Sequence, residues 1–164
     1  MKVIGIGWNY PKHNAELGGA EKPSKPTVFC KPDSALLKEN KDFYIPDFSE
    51  QVDYEVEVVV RINRLGKSIA EKFASRYYAQ VALGIDFTAR DMQNEARATG
   101  APWDLCKGFD GSAVVSEFRD LETIGAINDL NFRLEINGET VQSANTKEMI
   151  FSVRTAGKNC RIFR

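Results

Sequence analysis

Two acidic residues, Glu55 and Glu57, stand two positions apart in the stretch from Val52 to Arg61, which alternates apolar and polar residues over most of its length. Alternation with a period of two predicts a half-buried β-strand. On such a strand both carboxylates point to the same side, with Cα atoms roughly 6.5–7 Å apart. Two like charges this close need a cation or a shared proton, and hard cations such as Mg²⁺, Mn²⁺ or Ca²⁺ prefer oxygen ligands. A strand with one face in water, balanced by Arg61, would show the same pattern, so this stretch alone leaves both interpretations open.

Asp86 and Lys107 are charged residues in apolar surroundings. Asp86 stands between Ile85 and Phe87, at the end of an apolar stretch over residues 77–87 that predicts a buried strand. A desolvated carboxylate needs a partner, either a functional group or a structural hydrogen bond to the backbone. Lys107 is a candidate for facing an anion, although a lysine that extends its head to the surface would fit the same pattern.

The single histidine, His13, precedes Glu16 by three positions on a short helix predicted over residues 12–17. Residues three apart share a helix face. Histidine suits acid–base chemistry because its ordinary pKa lies near neutrality, but a lone histidine is more often a surface or capping residue. The polar loop over residues 20–26 has the length of a lid that closes over a substrate, and an ordinary surface loop is the alternative.

A second helix is predicted over residues 90–98, ending at Gly100. Arg90, Gln93 and Arg97 are spaced by three and four residues, so they fall on one face of this helix.

Short strands and turns make up the rest of the predicted pattern. Strands are expected over residues 3–7, 27–31 and 43–46. The last is an edge strand, because Pro46 cannot donate to a ladder. Ser68 is the expected N-cap of a short helix over residues 69–75. Asn137-Gly138, flanked by apolar residues, predicts a type I′ hairpin over residues 131–141.

The composition is that of an ordinary soluble globular domain, with 164 residues, 43% of them hydrophobic and 27% charged. A net charge of −1 gives no electrostatic case for nucleic acid or an anionic membrane as a partner. No apolar run approaches the roughly 18–20 residues of a membrane helix, and the N-terminus does not resemble a signal peptide, so a cytoplasmic location is expected.

The three cysteines are Cys30, Cys106 and Cys160. They are odd in number and far apart in the sequence, which argues against a disulfide framework or a zinc knuckle. The first two are expected to be buried thiols.

Five ordered motifs between Gly5 and Ser152 resemble the fumarylacetoacetate hydrolase (FAH) family, most closely its small members, which include acylpyruvate hydrolases and oxaloacetate decarboxylases. The motifs are Gly7–Glu16 (GWNYPKHNAE), Tyr54–Glu57 (YEVE), Asp86–Gln93 (DFTARDMQ), Pro102-Trp103 with Lys107–Asp110 (KGFD), and Met149–Ser152 (MIFS). The resemblance implies an α+β fold with a mixed, rolled β-sheet (a β-roll) and short peripheral helices.

The resemblance also implies a role for each charged candidate. Glu55, Glu57 and Asp86 would ligate Mg²⁺ or Mn²⁺. Arg90, Gln93 and Lys107 would bind the carboxylate and keto oxygens of a small keto-acid substrate. His13 and Glu16 would form the catalytic dyad that deprotonates water, and Lys107 would stabilise the enolate. A homodimer is expected by resemblance only, with no nucleic acid and no membrane as partner.

The implied activity is the hydrolysis of carbon–carbon bonds in acylpyruvates and related β-diketo acids through an enolate that the metal stabilises. Alternatives on the same site are oxaloacetate decarboxylation and isomerisation of the 2-hydroxyhepta-2,4-diene-1,7-dioate type. Family members continue well past the last motif, whereas here a basic tail over residues 153–164 follows a catalytic domain over residues 1–152. We therefore expect a chain and a fold shortened at the C-terminus, with an inactive, metal-binding form as a further alternative.

Overall fold

The computed structural model describes residues 1–16 and 23–159. Its strands are β1 (Val3–Gly7), β2 (Thr27–Lys31), β3 (Val52–Ile62), β4 (Tyr78–Ala89), β5 (Ala113–Val115), β6 (Arg119–Asp120), β7 (Asn131–Ile136) and β8 (Glu139–Asn145). Its α-helices are α1 (Pro11–Glu16), α2 (Arg90–Thr99), α3 (Asp104–Lys107), α4 (Leu121–Ile124) and α5 (Val153–Asn159). Three 3₁₀ helices cover Asp33–Ala35, Glu71–Tyr77 and Thr146–Glu148.

The strands form three sheets among the described residues. β1 pairs with β2, β7 pairs with β8, and β4 lies at the centre of a sheet with β3, β5 and β6 as its neighbours. The ladders of β4 with β5 and of β7 with β8 are antiparallel, and a parallel bridge joins Leu36 to Ala113. Mixed strand directions and short helices confirm the predicted α+β class.

The predicted helix after the β4 strand is confirmed as α2, and its end has a clear physical cause. Gly100 adopts φ 72°, in the left-handed region, and its N–H bonds to the carbonyl of Ala96. A glycine in this conformation is a common helix C-cap because it lacks a Cβ.

The predicted hairpin is also confirmed. Asn137 and Gly138 have φ values of 52° and 86° between β7 and β8. Positive φ at both central positions is the requirement of a type I′ turn, which matches the twist of the two strands.

Three local predictions were wrong. Residues 43–46 form no strand, and Tyr44 and Ile45 are 81% and 76% exposed, because this short segment has no neighbouring ladder that would bury them. Ser68 has φ 55° and lies outside the following 3₁₀ helix, so it does not act as an N-cap. Cys30 is exposed, whereas Cys106 is buried as expected.

The chain divides into two compact units. Unit 1 comprises residues 1–5, 29–57 and 83–116, and unit 2 comprises residues 6–28, 58–82 and 117–164. Within unit 2, a small apolar core forms around Tyr78, Val81 and Ile127. Val153, the first residue of the segment predicted as a tail, packs against this core and begins α5. Within residues 1–16 and 23–159, no helix is long and apolar enough to span a membrane.

Candidate metal and substrate site

The interior of unit 1 contains a cluster of charged side chains, and Arg90 organises one side of it. Arg90 begins α2 and is only 4% exposed. Its Nε and Nη2 donate to Asp53 Oδ2 at 2.7 Å and to Glu55 Oε1 at 2.6 Å, and its Nη1 donates to Gln93. Asp53 and Glu55 are two positions apart on β3, so the alternation of the strand brings both carboxylates to the same guanidinium. Arg97, on the same helix, has an exposed side chain.

Lys107 lies opposite, at the end of α3, and is 2% exposed. Its Nζ donates to Asp86 Oδ2 at 2.7 Å, to Glu55 Oε2 at 2.9 Å and to Thr88 Oγ1 at 2.6 Å. An ammonium has three protons, so these bonds use its full donor capacity. Lys107 therefore faces two carboxylates from different strands and holds them on one cation.

The second oxygen of Asp86 faces another buried lysine. Lys31 Nζ lies 2.8 Å from Asp86 Oδ1, so the two oxygens of this carboxylate each pair with a different ammonium. The desolvated carboxylate thus has charged partners rather than the backbone hydrogen bond that was the structural alternative. The pairing satisfies the rule that buried charges occur with compensating charges.

The pKa values of the two lysines move in opposite directions. Burial lowers the pKa of Lys107, but the carboxylates of Asp86 and Glu55 outweigh it and leave the pKa above its ordinary value. For Lys31, burial dominates, and the pKa falls below its ordinary value despite the attraction of Asp86.

Glu57 is a carboxyl group of unit 1 whose surroundings disfavour its charged form. Burial, followed by the charges of Asp86 and Glu55, raises the pKa of Glu57 from 4.5 to about 8, and Lys107 offsets only part of this. A cation placed beside Glu57 would favour its charged form and lower this pKa. Cation binding at Glu57 therefore requires loss of its proton at neutral pH.

A divalent cation fits the chemistry of this cluster. The side chains of Glu55, Glu57 and Asp86 offer oxygen donors only, the set that Mg²⁺ and Mn²⁺ prefer. The ammonium of Lys107 already brings a carboxylate oxygen of Glu55 and one of Asp86 to the same cation, at 2.9 and 2.7 Å. Among the described residues, no group of three His, Cys, Asp or Glu side chains is close enough to hold a metal. The three-ligand set therefore stays a prediction.

Sequence reasoning missed several members of the cluster. Asp53 and Thr88 could have been found, because each lies two positions from a predicted site residue on the same strand face. Lys31 gave no comparable signal, since a lysine at the end of a strand is ordinarily solvated.

The predicted dyad, His13 and Glu16, lies on α1 in unit 2, and both side chains fall outside the described part of the structure. Hydrogen bonds hold the segment before this helix. Asn9 donates to the carbonyl of Phe151 at 3.0 Å and accepts from its N–H at 2.7 Å. Of the predicted lid over residues 20–26, residues 20–22 also lie outside the described residues.

Comparison with known proteins now decides the family. A family model described as Fumarylacetoacetate (FAA) hydrolase C-terminal matches residues 2–156. The chain belongs to the fumarylacetoacetate hydrolase family. Bovine oxaloacetate tautomerase FAHD1, mitochondrial, is 36% identical over 92% of this chain and 68% of its own length. The mitochondrial oxaloacetate decarboxylase of Dictyostelium discoideum is 36% identical over 93% of this chain and 70% of its own.

Solved structures of this family share the fold. Fumarylpyruvate hydrolase from Pseudomonas aeruginosa, in complex with Mn²⁺ and pyruvate, matches with a TM-score of 0.91 and 28% identity, covering 99% of this chain and 72% of that one. A 5-carboxymethyl-2-hydroxymuconate delta-isomerase from Mycobacterium smegmatis matches with a TM-score of 0.79 and 28% identity, covering 96% of this chain and 60% of that one. These matches confirm the FAH-type fold. The chain spans about two thirds of the length of the curated relatives, at 67% and 68% for two of them.

Proposed function

We propose that this protein is a divalent-metal-dependent enzyme that cleaves carbon–carbon bonds in acylpyruvates and related β-diketo acids through an enolate. The observation that supports it best is the set of largely buried carboxylates, Glu55 on β3 and Asp86 on β4, compensated by Lys107 and Arg90. A purely structural domain rarely buries so many charges, because desolvating them is costly. The P. aeruginosa relative was solved in complex with Mn²⁺ and pyruvate, which supports the same cofactor class and a keto-acid ligand for this chain.

The residues of unit 1 have distinct tasks in this proposal. Glu55, Glu57 and Asp86 would hold Mg²⁺ or Mn²⁺, which when bound supplies Lewis-acid polarisation of the substrate's oxygens. Among residues 1–16 and 23–159, three of the five N–H groups of Arg90 bond to Asp53, Glu55 and Gln93. Arg90 would bind a substrate carboxylate through the other two, beside the amide of Gln93.

Lys107 would stabilise the negative charge that develops on the enolate oxygen. Its three protons are already engaged, so contact with substrate requires it to exchange one partner. Thr88 is the neutral partner and is the one whose loss costs least, because hydrogen bonds to charged groups are stronger.

His13 would take a proton from the attacking water, with Glu16 orienting its ring. In hydrolysis this water attacks the distal carbonyl, and the carbon–carbon bond then breaks to leave the enolate. Loss of CO₂ from oxaloacetate would leave the same pyruvate enolate without attacking water, and removal of a proton alone would give the enolate of the intact substrate. For this reason oxaloacetate decarboxylation, oxaloacetate tautomerisation and diene-dioate isomerisation are the second candidates, favoured by the names of the relatives.

The first test measures loss of acetylpyruvate absorbance with Mg²⁺ or Mn²⁺ and again with EDTA. We expect turnover that EDTA removes and that falls at least about a hundredfold in Glu55→Ala. Glu135→Ala is the matched control, because Glu135 is also a strand residue paired with an arginine, at 2.7 Å, but is exposed. Metal-independent turnover would contradict the proposal, and Mn²⁺ binding without turnover on any β-diketone or β-keto acid would identify an inactive, metal-binding form.

The variant His13→Ala separates the candidate reactions. Hydrolysis should collapse, whereas decarboxylation of oxaloacetate should suffer less because it needs no attacking water. Lys12→Ala on the same helix is the control, since Lys12 is exposed and pairs only loosely with Glu148, at 3.6 Å. Equal losses in both reactions would contradict the role given to His13.

The homodimeric state and the cytoplasmic location remain parts of this proposal. Light scattering on the purified protein tests the first. Fractionation of the source cells tests the second, for which the names of the relatives in animals, plants and Dictyostelium indicate mitochondria for those proteins.

A further inference from the structure

Lys31 is a buried charged residue of unit 1 to which the proposed reaction gives no task. It ends β2 and is 5% exposed. Four oxygens within hydrogen-bond distance share the three protons of its Nζ. They are the main-chain carbonyls of Phe87 at 3.3 Å, Ser112 at 3.0 Å and Lys107, and Ser112 Oγ at 3.1 Å. Together with Asp86 Oδ1 at 2.8 Å, these groups enclose the ammonium in oxygens.

The contacts of Lys31 differ in kind from those of Lys107. Lys107 reaches side chains only, so its partners can change by rotamer movement. Lys31 reaches carbonyls of β4, of the end of α3 and of the turn before β5, so it ties three backbone segments to Asp86. Ser112 Oγ reinforces this arrangement by donating to the carbonyl of Lys107 at 2.9 Å.

We propose that Lys31 is a positioning residue, which fixes Asp86 through Oδ1 and the end of α3 through the carbonyl of Lys107, so that Asp86 Oδ2 and the Lys107 ammonium meet. Lys31 does not touch substrate in this role. It determines where the carboxylate and the catalytic lysine stand, much as outer-shell partners orient metal ligands in other proteins.

Three possible roles of Lys31 predict three different effects of the variant Lys31→Met on the affinity for Mn²⁺. If Lys31 positions Asp86, its loss weakens Mn²⁺ binding. If Lys31 acts only as a nearby positive charge, its loss removes repulsion and tightens Mn²⁺ binding. If Lys31 only stabilises the fold, the melting temperature falls while the affinity of the folded protein stays the same.

The experiment measures the Mn²⁺ dissociation constant of the metal-free protein by calorimetry, without substrate, well below the melting temperature of each variant. We expect Lys31→Met to weaken binding by about 10- to 100-fold, the usual cost of losing an outer-shell partner. Lys31→Arg keeps the charge but not the shape, so it should not restore affinity. Unchanged or tighter binding in Lys31→Met, or full affinity in Lys31→Arg, would overturn the proposal.

The matched control is Lys38→Met. Lys38 also pairs with a carboxylate, Asp33 at 3.5 Å, but its side chain is 63% exposed. We expect Lys38→Met to bind Mn²⁺ with wild-type affinity.

If Lys31→Met does not fold, Ser112→Ala tests the same network, because it removes one hydrogen-bond acceptor of Lys31. This variant should weaken Mn²⁺ binding about fivefold. Wild-type affinity in Ser112→Ala would then decide against the proposal.

The metal measurement rests on the proposed function, so a second measurement separates the two ideas. Hydrogen exchange in the metal-free Lys31→Met variant should accelerate about tenfold at the amides of Gly108 and Ser112, because the anchor of this turn is lost. Amides of the β7–β8 hairpin, such as Leu134, should exchange as in the wild type. If the wild type binds no Mn²⁺, the proposed metal site fails, and exchange alone decides on Lys31. Equal acceleration in both regions, or none, would overturn the positioning role.

Discussion

The two halves of β4 are buried to a similar extent but in opposite surroundings. In unit 2, Val81 is 5% exposed and packs with Tyr78 and Ile127 in an apolar core. In unit 1, Asp86 is 8% exposed and lies between the ammonium groups of Lys31 and Lys107. Burial alone therefore does not distinguish a core from a functional site; the partners of the buried group do.

The two halves also respond to change in different ways. An apolar core loses stability in proportion to the volume removed, and its neighbours relax partly into the space. In a buried charged cluster, removing one group leaves its partners unpaired, which costs more than the group itself contributed. Replacing such a cluster as a whole by apolar residues is often neutral or stabilising. Burying these charges costs free energy that apolar residues would not cost. Their presence in unit 1 therefore favours a functional role for the cluster.

The largest effect is expected in the charged half. Lys107→Met leaves Glu55 and Asp86 without their shared cation while keeping the length of the side chain. We expect the free energy of unfolding to fall by about 3–5 kcal/mol. Turnover of acetylpyruvate should fall by about 10²–10³-fold. Urea denaturation and steady-state kinetics measure the two effects.

Lys147→Met is the control for that variant. Lys147 also pairs with an aspartate, Asp129 at 3.6 Å, but its side chain is 65% exposed. An exposed pair contributes little, so both readouts should stay at wild-type values. Similar losses in the two variants would remove the distinction between buried and exposed pairs on which the comparison depends.

A smaller effect, on stability alone, is expected in the apolar half. Val81→Ala removes two methyl groups from the core of unit 2 and should cost about 2 kcal/mol of unfolding free energy. Turnover at a temperature where the variant is folded should not change. Val141→Ala, at a position 40% exposed, should cost much less. A loss of turnover in Val81→Ala without loss of folded protein would show that the two halves are not independent.

The sequence predicted this contrast only in part, and the reasons are physical. Period-two alternation identified β3, and Gly100 and Asn137-Gly138 identified α2 and the hairpin, because these signals are local. The pairing of Asp86 with Lys31 joins residues 55 positions apart, and no local pattern encodes it. The segment over residues 43–46 shows the reverse case, in which a local strand pattern has no ladder to join.

Over the window from pH 7 to 9, the smallest effect is a pH dependence in the charged half, through Glu57. Its pKa is about 8 in the folded protein against an ordinary 4.5, so the folded state binds this proton more tightly than the unfolded state. The resulting stabilisation is fully present below pH 4.5 and is lost as pH rises through about 8. Between pH 7 and 9 the metal-free protein should lose about 1 kcal/mol of unfolding free energy from this group.

Urea denaturation at several pH values, in EDTA, measures this loss. Glu57→Gln cannot ionise, so its stability should not show this decline, which in the wild type levels off above about pH 8. Saturating Mn²⁺ should also remove the decline from the wild type, because carboxylate ligands bind a metal in their deprotonated form. If the wild type and Glu57→Gln follow the same pH profile, the raised pKa of Glu57 and the burial and neighbouring charges that explain it are wrong. The contrast between the two halves of β4 would then depend on the ion pairs of Asp86 alone.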